Sequence, residues 1–107
     1  MSVVLNEFNF HNEVTKNTDD VVLVDVYAAW CGPCRAVAPI IERLNGIPGV
    51  KVCKMDMDDA YDFCVSQGIQ SLPTLLFYKK GQVVHKIVGV TSEETLRAKL
   101  EELKGAK

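Results

Sequence analysis

The chain has 107 residues, of which 48% are hydrophobic and 24% charged, with a formal net charge of -2. That length fits a single domain over residues 1–107, and the composition buries enough apolar surface to fold without metals or disulfide staples. No basic block is present, which argues against nucleic acid or anionic lipid as a partner, and no apolar run approaches membrane-spanning length.

Val3-Val4-Leu5 precedes Asn6-Glu7. This run is too short for the apolar region of a signal peptide and has no basic flank, so the expectation is a cytoplasmic protein of a reducing compartment. There, the four cysteines are catalytic, metal-binding or buried rather than stapled in pairs. Ser2 to Leu5 is predicted as a short strand, and Glu7 to Lys16 as a helix capped by Asn6.

Val21-Val22-Leu23-Val24-Asp25-Val26-Tyr27 is almost continuously apolar and rich in β-branched residues, the pattern of a central strand of a parallel sheet covered on both faces. From Pro33 to Leu44, Val37, Ala38, Ile40, Ile41 and Leu44 recur at helical spacing. Gly46 suits the helix end and Pro39 should kink the helix. Val50 to Met57 reads as a second strand, followed by a helix from Asp59 to Gln67 that ends at Gly68.

Beyond Pro73, Thr74 to Tyr78 and Val83 to Val88 flank a hairpin turn in which Gly81 supplies a positive φ. Thr91 with Glu94 three residues on forms a capping box, and Leu96, Leu100 and Leu103 line one face of a C-terminal helix. The alternation gives an α/β fold, a three-layer α/β/α sandwich with a central mixed β-sheet flanked by four helices.

Cys31 and Cys34 stand where the first long strand turns into a helix. Unpaired N–H groups and the positive end of the helix dipole stabilise a thiolate at Cys31, and a thiolate is the attacking species in disulfide exchange. Cys34 lies about one turn along, close enough to close a ring with Cys31 and expected to be the less exposed of the two. Pro33 fits a first helical position, and Gly32 leaves the sulfur open to a large partner. The alternative for the pair is half a zinc site. Cys53 and Cys64 have ten residues between them and His11 and His85 are isolated, which is not the paired spacing of structural zinc. Cys53 and Cys64 themselves read as small buried hydrophobes, with Cys64 open to oxidation if partly exposed.

The whole run Trp30-Cys31-Gly32-Pro33-Cys34 resembles the thioredoxin family, as do Val24-Asp25, Pro39, Leu72-Pro73-Thr74, Lys79-Lys80-Gly81 and Val88-Gly89. The resemblance spans nearly the full chain. It implies the thioredoxin fold and a protein-disulfide oxidoreductase working by reversible dithiol/disulfide exchange at Cys31 and Cys34. Asp25 would be the buried acid that manages protons for Cys34, against the alternative of a paired, inert Asp. Lys54 resembles the lysine beside that acid, although its position alone suits a solvated lysine equally well.

Pro73 resembles a cis-proline facing the cysteines, and Trp30, Gly32, Pro33, Met57, Leu72, Pro73, Gly89 and Val90 resemble the family's substrate-binding surface. No bound cofactor is implied, since the glycines form no G-x-G-x-x-G after a strand. NADPH and FAD enter only through a partner, thioredoxin reductase. Other partners would be disulfide-containing proteins such as peroxiredoxins or reductases, met by a monomer. Tyr27, Ala29 and Arg35 depart from the commonest family residues. Two rivals are a thiol oxidase or isomerase on the same fold, and an interaction subunit without redox turnover.

Overall fold

The computed structural model describes residues 2–105. Five strands, β1 (Val3–Leu5), β2 (Val21–Tyr27), β3 (Val50–Asp56), β4 (Thr74–Lys79) and β5 (Gln82–Val88), form one sheet in the order β1-β3-β2-β4-β5. The β3 strand runs parallel to both β1 and β2, whereas β4 is antiparallel to β2 and to β5. Thus β2 is central, as its apolar run predicts, but only one of its neighbours is parallel. The sheet is mixed because β4 follows a loop and returns through a hairpin.

Alternation along the strands divides the core between two faces. Val22, Val24, Val26, Met55, Leu76 and Tyr78 point to one face, covered by the N-terminal helical segment and α2 (Tyr61–Ser66). Leu23, Val52, Leu75 and Phe77 point to the other, covered by α1 (Gly32–Leu44) and α3 (Glu93–Gly105) through Val37, Ile41, Leu96 and Leu100. Asp25 and Lys54 share this second face, directly opposite one another in the β2–β3 register.

Several boundaries differ from the sequence reading. Asn6 does cap the first helical segment, its Oδ1 accepting the N–H groups of Phe8 and Asn9, but the segment widens into a π-helical turn at His11–Thr15, closed by Lys16 N–H to His11 O at 2.9 Å. Residues 57–60 form turns, with Asp59 N–H on Asp56 O and Ala60 N–H on Met57 O, so α2 starts two residues later than Asp59. Gly46 does not adopt a positive φ; Asn45 ends α1 in a right-handed conformation and Gly49 takes the left-handed position before β3. The α3 cap is Ser92 rather than Thr91, its Oγ accepting the Thr95 N–H at 3.1 Å. The hairpin turn is Lys80-Gly81, with φ of 53° and 79°, the pair of positive values that a two-residue turn between twisted strands demands.

Candidate active site

The site forms at the C-terminal ends of β2 and β3. The β2 strand ends at Tyr27, Ala28 is buried, and Cys31 N–H donates back to Ala28 O at 3.1 Å, directing the chain into α1. Cys31 is the N-cap of α1 with extended φ/ψ of -89° and 109°, and its Sγ accepts the Cys34 N–H at 3.2 Å. A sulfur is therefore held where the helix offers its unpaired donors and positive dipole end. Pro33 occupies the first turn, as expected from its lack of an N–H.

Cys31 and Cys34 are joined as a disulfide, with Cα atoms 5.3 Å apart. They are almost equally covered, 5% and 4% exposed, so the expected difference in exposure is not present in this state. They differ instead in the spaces they line. Cys31 opens onto a shallow groove with Trp30, Gly32, Pro33, Met57 and Leu72, whereas Cys34 lines a cleft of about 360 Å³ on the other side with Asp25, Arg35, Glu42 and Lys54.

Of the residues singled out for substrate contact, Trp30 is 67% exposed and its Nε1 donates to Asp58 Oδ2 at 3.0 Å, which fixes the indole over the surface. Leu72 packs against the small cluster formed by Ala28 and the two cysteines. The Leu72–Pro73 bond is cis, and Pro73, itself buried, accepts the Gly89 N–H at 2.9 Å through its carbonyl. Val90 follows, 61% exposed. Gly89 and Val90 border the cis-proline segment without lining the groove.

The sequence reading missed Asp58, Tyr61, Gln70 and Ser71. The last three complete the groove wall, and no spacing rule connects them to Trp30. It also missed Glu42 in the cleft. Arg35, one of the departures, donates to Ala29 O at 2.8 Å and braces the segment before the cysteines.

Asp25 is 5% exposed and its Oδ1 has no hydrogen-bond partner. Burial disfavours its charged form and raises its pKa from 3.8 to about 6; Lys54 opposes that rise and Glu42 adds to it. Cys53 and Cys64 are fully buried, as expected, and burial raises both thiols, Cys53 to about 11. Cys64 Sγ lies 3.5 Å from Met55 Sδ. Among the described residues no three His, Cys, Asp or Glu side chains come together in a group able to hold a metal ion, and no helix is long and apolar enough to cross a membrane.

Comparison with known proteins agrees with this geometry. The Thioredoxin family model matches residues 1–102. Thioredoxin 2 of Chlorobaculum tepidum is 41% identical over 96 residues, covering 88% of this chain and 87% of that one. The chloroplastic Thioredoxin M5 of Oryza sativa is 36% identical over 96 residues, and there the chain spans 55% of the relative's length. In structure, a mutant thioredoxin from Halobacterium salinarum superposes with a TM-score of 0.89 at 30% identity, over 99% of this chain and 93% of that one. The chain belongs to the thioredoxin family, whose members are protein-disulfide oxidoreductases working by dithiol/disulfide exchange.

Proposed function

We propose that residues 1–107 act as one domain, a general protein-disulfide reductase and electron carrier in which Cys31 attacks and Cys34 resolves. The observation that carries this reading is the cystine at the head of α1, with Cys31 on the open groove and Cys34 on the cleft beside Asp25. In the reduced pair, the Cys34 N–H now on Cys31 Sγ and the positive end of the α1 dipole stabilise its thiolate. The thiolate attacks one sulfur of a substrate disulfide; a Cys31–substrate bond forms, the substrate disulfide breaks, and the departing thiolate takes a proton. Cys34 then gives its proton to Asp25, directly or through water in the cleft, and attacks Cys31 Sγ. The substrate leaves reduced by two electrons and the cystine is restored.

Trp30, Gly32, Pro33, Met57 and Leu72 receive the substrate chain, with Pro73, Gly89 and Val90 at the border of that surface. Lys54, opposite Asp25, supplies the charge that lets Asp25 ionise. Re-reduction falls to a thioredoxin reductase carrying FAD and fed by NADPH, and substrates are disulfide proteins such as peroxiredoxins or reductases. Two buried free thiols besides the cystine suit the reducing cytoplasm, where such a carrier serves redox homeostasis.

Turnover of a disulfide substrate with NADPH and purified thioredoxin reductase is the direct test. Cys31→Ser should abolish turnover and trap nothing, whereas Cys34→Ser should accumulate mixed disulfides, because Cys31 still attacks with no partner to release it. Equal trapping by both variants would reverse or remove the assigned roles.

A further inference from the structure

The cleft behind the cystine holds a second acid to which the exchange steps assign no part. Ile41 of α1 is buried against the sheet, and the next residue, turned by about 100° around the helix, leaves that covered face. Glu42 accordingly stands at the exposed mouth of the cleft, which it lines together with Asp25, Cys34 and Lys54. It does not swing free there, because the hydroxyl of buried Ser2 donates to Glu42 Oε1 across 40 residues of chain. Ser2 leads into β1, and Val4 of that strand pairs with Lys54 in register. One edge strand thus holds the glutamate beside the lysine.

The groups around Asp25 are few. From α1 come Cys34, Arg35 and Glu42, from β3 comes Lys54, and from its own strand Tyr27. The opposing β4 position is Leu75, and α3 covers this face of the sheet through Leu96 and Leu100, none of which carries charge. Lys54 favours the ionised form of both acids, while the Ser2 hydrogen bond is the main reason that the Glu42 carboxyl lies below its ordinary value. Glu42 therefore stays negative through the range in which Asp25 titrates, and a fixed like charge disfavours ionisation of its neighbour.

We propose that Glu42, tethered by Ser2, is a positioning residue of the exchange reaction: its negative charge strengthens Asp25 as the acceptor of the Cys34 proton. This rests on the role given to Asp25 above. Lys54 and Glu42 form an opposed pair, one easing the ionisation of Asp25 and the other resisting it, so that Asp25 exchanges protons close to neutral pH.

The test reads the two claims separately. Carbon-detected NMR of the Asp25 carboxyl in the oxidised protein gives its titration midpoint, and single-turnover release of a mixed disulfide gives the pH profile of resolution. Glu42→Gln should lower the midpoint by about 0.5 pH unit, a threefold change in proton affinity, and move the acid limb of the rate profile with it. Ser2→Ala should shift the midpoint the same way by less, Lys54→Met should raise it, and Glu102→Gln on α3 should leave it unchanged. An unmoved Asp25 midpoint in Glu42→Gln overturns the inference whatever the rates do. If the midpoint moves but the profile does not, and Asp25→Asn resolves at the parental rate, the proton-acceptor role of Asp25 fails and the inference falls with it.

Discussion

At the scale of single residues, Asp25 concentrates the tension in the fold, since a carboxyl buried to 5% exposure with one oxygen unpartnered disfavours its own charge. Its folded pKa of about 6 stands above the 3.8 of the free group. Between those values the native state binds more protons than the unfolded chain, so this group's contribution to stability is intact below about pH 3.8 and is lost as pH rises through about 6. The difference of about two pH units corresponds to about 3 kcal/mol at neutral pH. Asp25→Asn should therefore stabilise the protein at pH 7 by about 1–3 kcal/mol, with little gain at pH 4, while slowing resolution of the mixed disulfide. Urea denaturation at the two pH values, paired with single-turnover exchange, checks both halves. A variant that is less stable and equally fast would make Asp25 a structural ion-pair member. The remaining thiols follow the same rule: Cys53 and Cys64 are buried with pKa values raised by that burial, so in the oxidised protein alkylation at about pH 8 should modify neither until denaturant is added. Mass spectrometry of the native sample reads this directly, and rapid labelling of either cysteine would contradict its enclosure.

At the scale of elements, apolar runs locate the strands because each strand is covered on a face whose chemistry is local to that run. Element ends were less legible, because caps depend on where the preceding segment releases the chain. Thr91 and Ser92 both lie at the right distance from a polar residue three positions on, so either could begin α3. The choice falls to Ser92 because Gly89 turns at a φ of 93° while its N–H is held by Pro73 O, which delays the helix by one residue. Ser92→Ala should cost about 1 kcal/mol and Thr91→Ala a few tenths, compared by chemical denaturation; the reverse ranking would restore the capping box read from the sequence. The π-helical widening at His11–Thr15 has no sequence signature, since its hydrogen bonds, such as Lys16 N–H to His11 O, only reach one residue farther than in an α-helix, in a segment whose inward side chains, Phe10 and Val14, pack against the sheet either way. The cysteine pair was legible because its chemistry depends on a spacing of three and a helix start, both local. Asp58 and Glu42 were not, because each acquires its place by meeting a residue far along the chain, Trp30 in one case and Ser2 in the other.

At the scale of the whole molecule, the site and the β4–β5 hairpin lie at opposite ends of the sheet, because β4 starts beside Pro73 and runs about 20 Å away from it. The hairpin end is closed by a contact that spacing could not reveal: Gly81 approaches the π-helical turn so nearly that a Cβ on it would lie 2.5 Å from Thr15 O. Gly68 provides the comparison, since its φ of 80° matches the 79° of Gly81 but a Cβ there meets nothing within 4 Å. Alanine at Gly68 carries only the cost of a left-handed backbone, about 1 kcal/mol. Alanine at Gly81 carries that cost and must also displace a backbone carbonyl, which cannot rotate aside as a flexible side chain would, adding about 1–3 kcal/mol. Gly81→Ala should accordingly be the more destabilising by denaturation, and hydrogen exchange should quicken over residues 11–17 in that variant alone. Disulfide exchange should proceed at the parental rate in both below their unfolding transitions, since the cystine, the groove and the cleft draw nothing from the hairpin end. Equal destabilisation by the two alanines would mean that the Gly81–Thr15 approach relaxes without cost, and that the hairpin and the π-helical turn are not coupled through it.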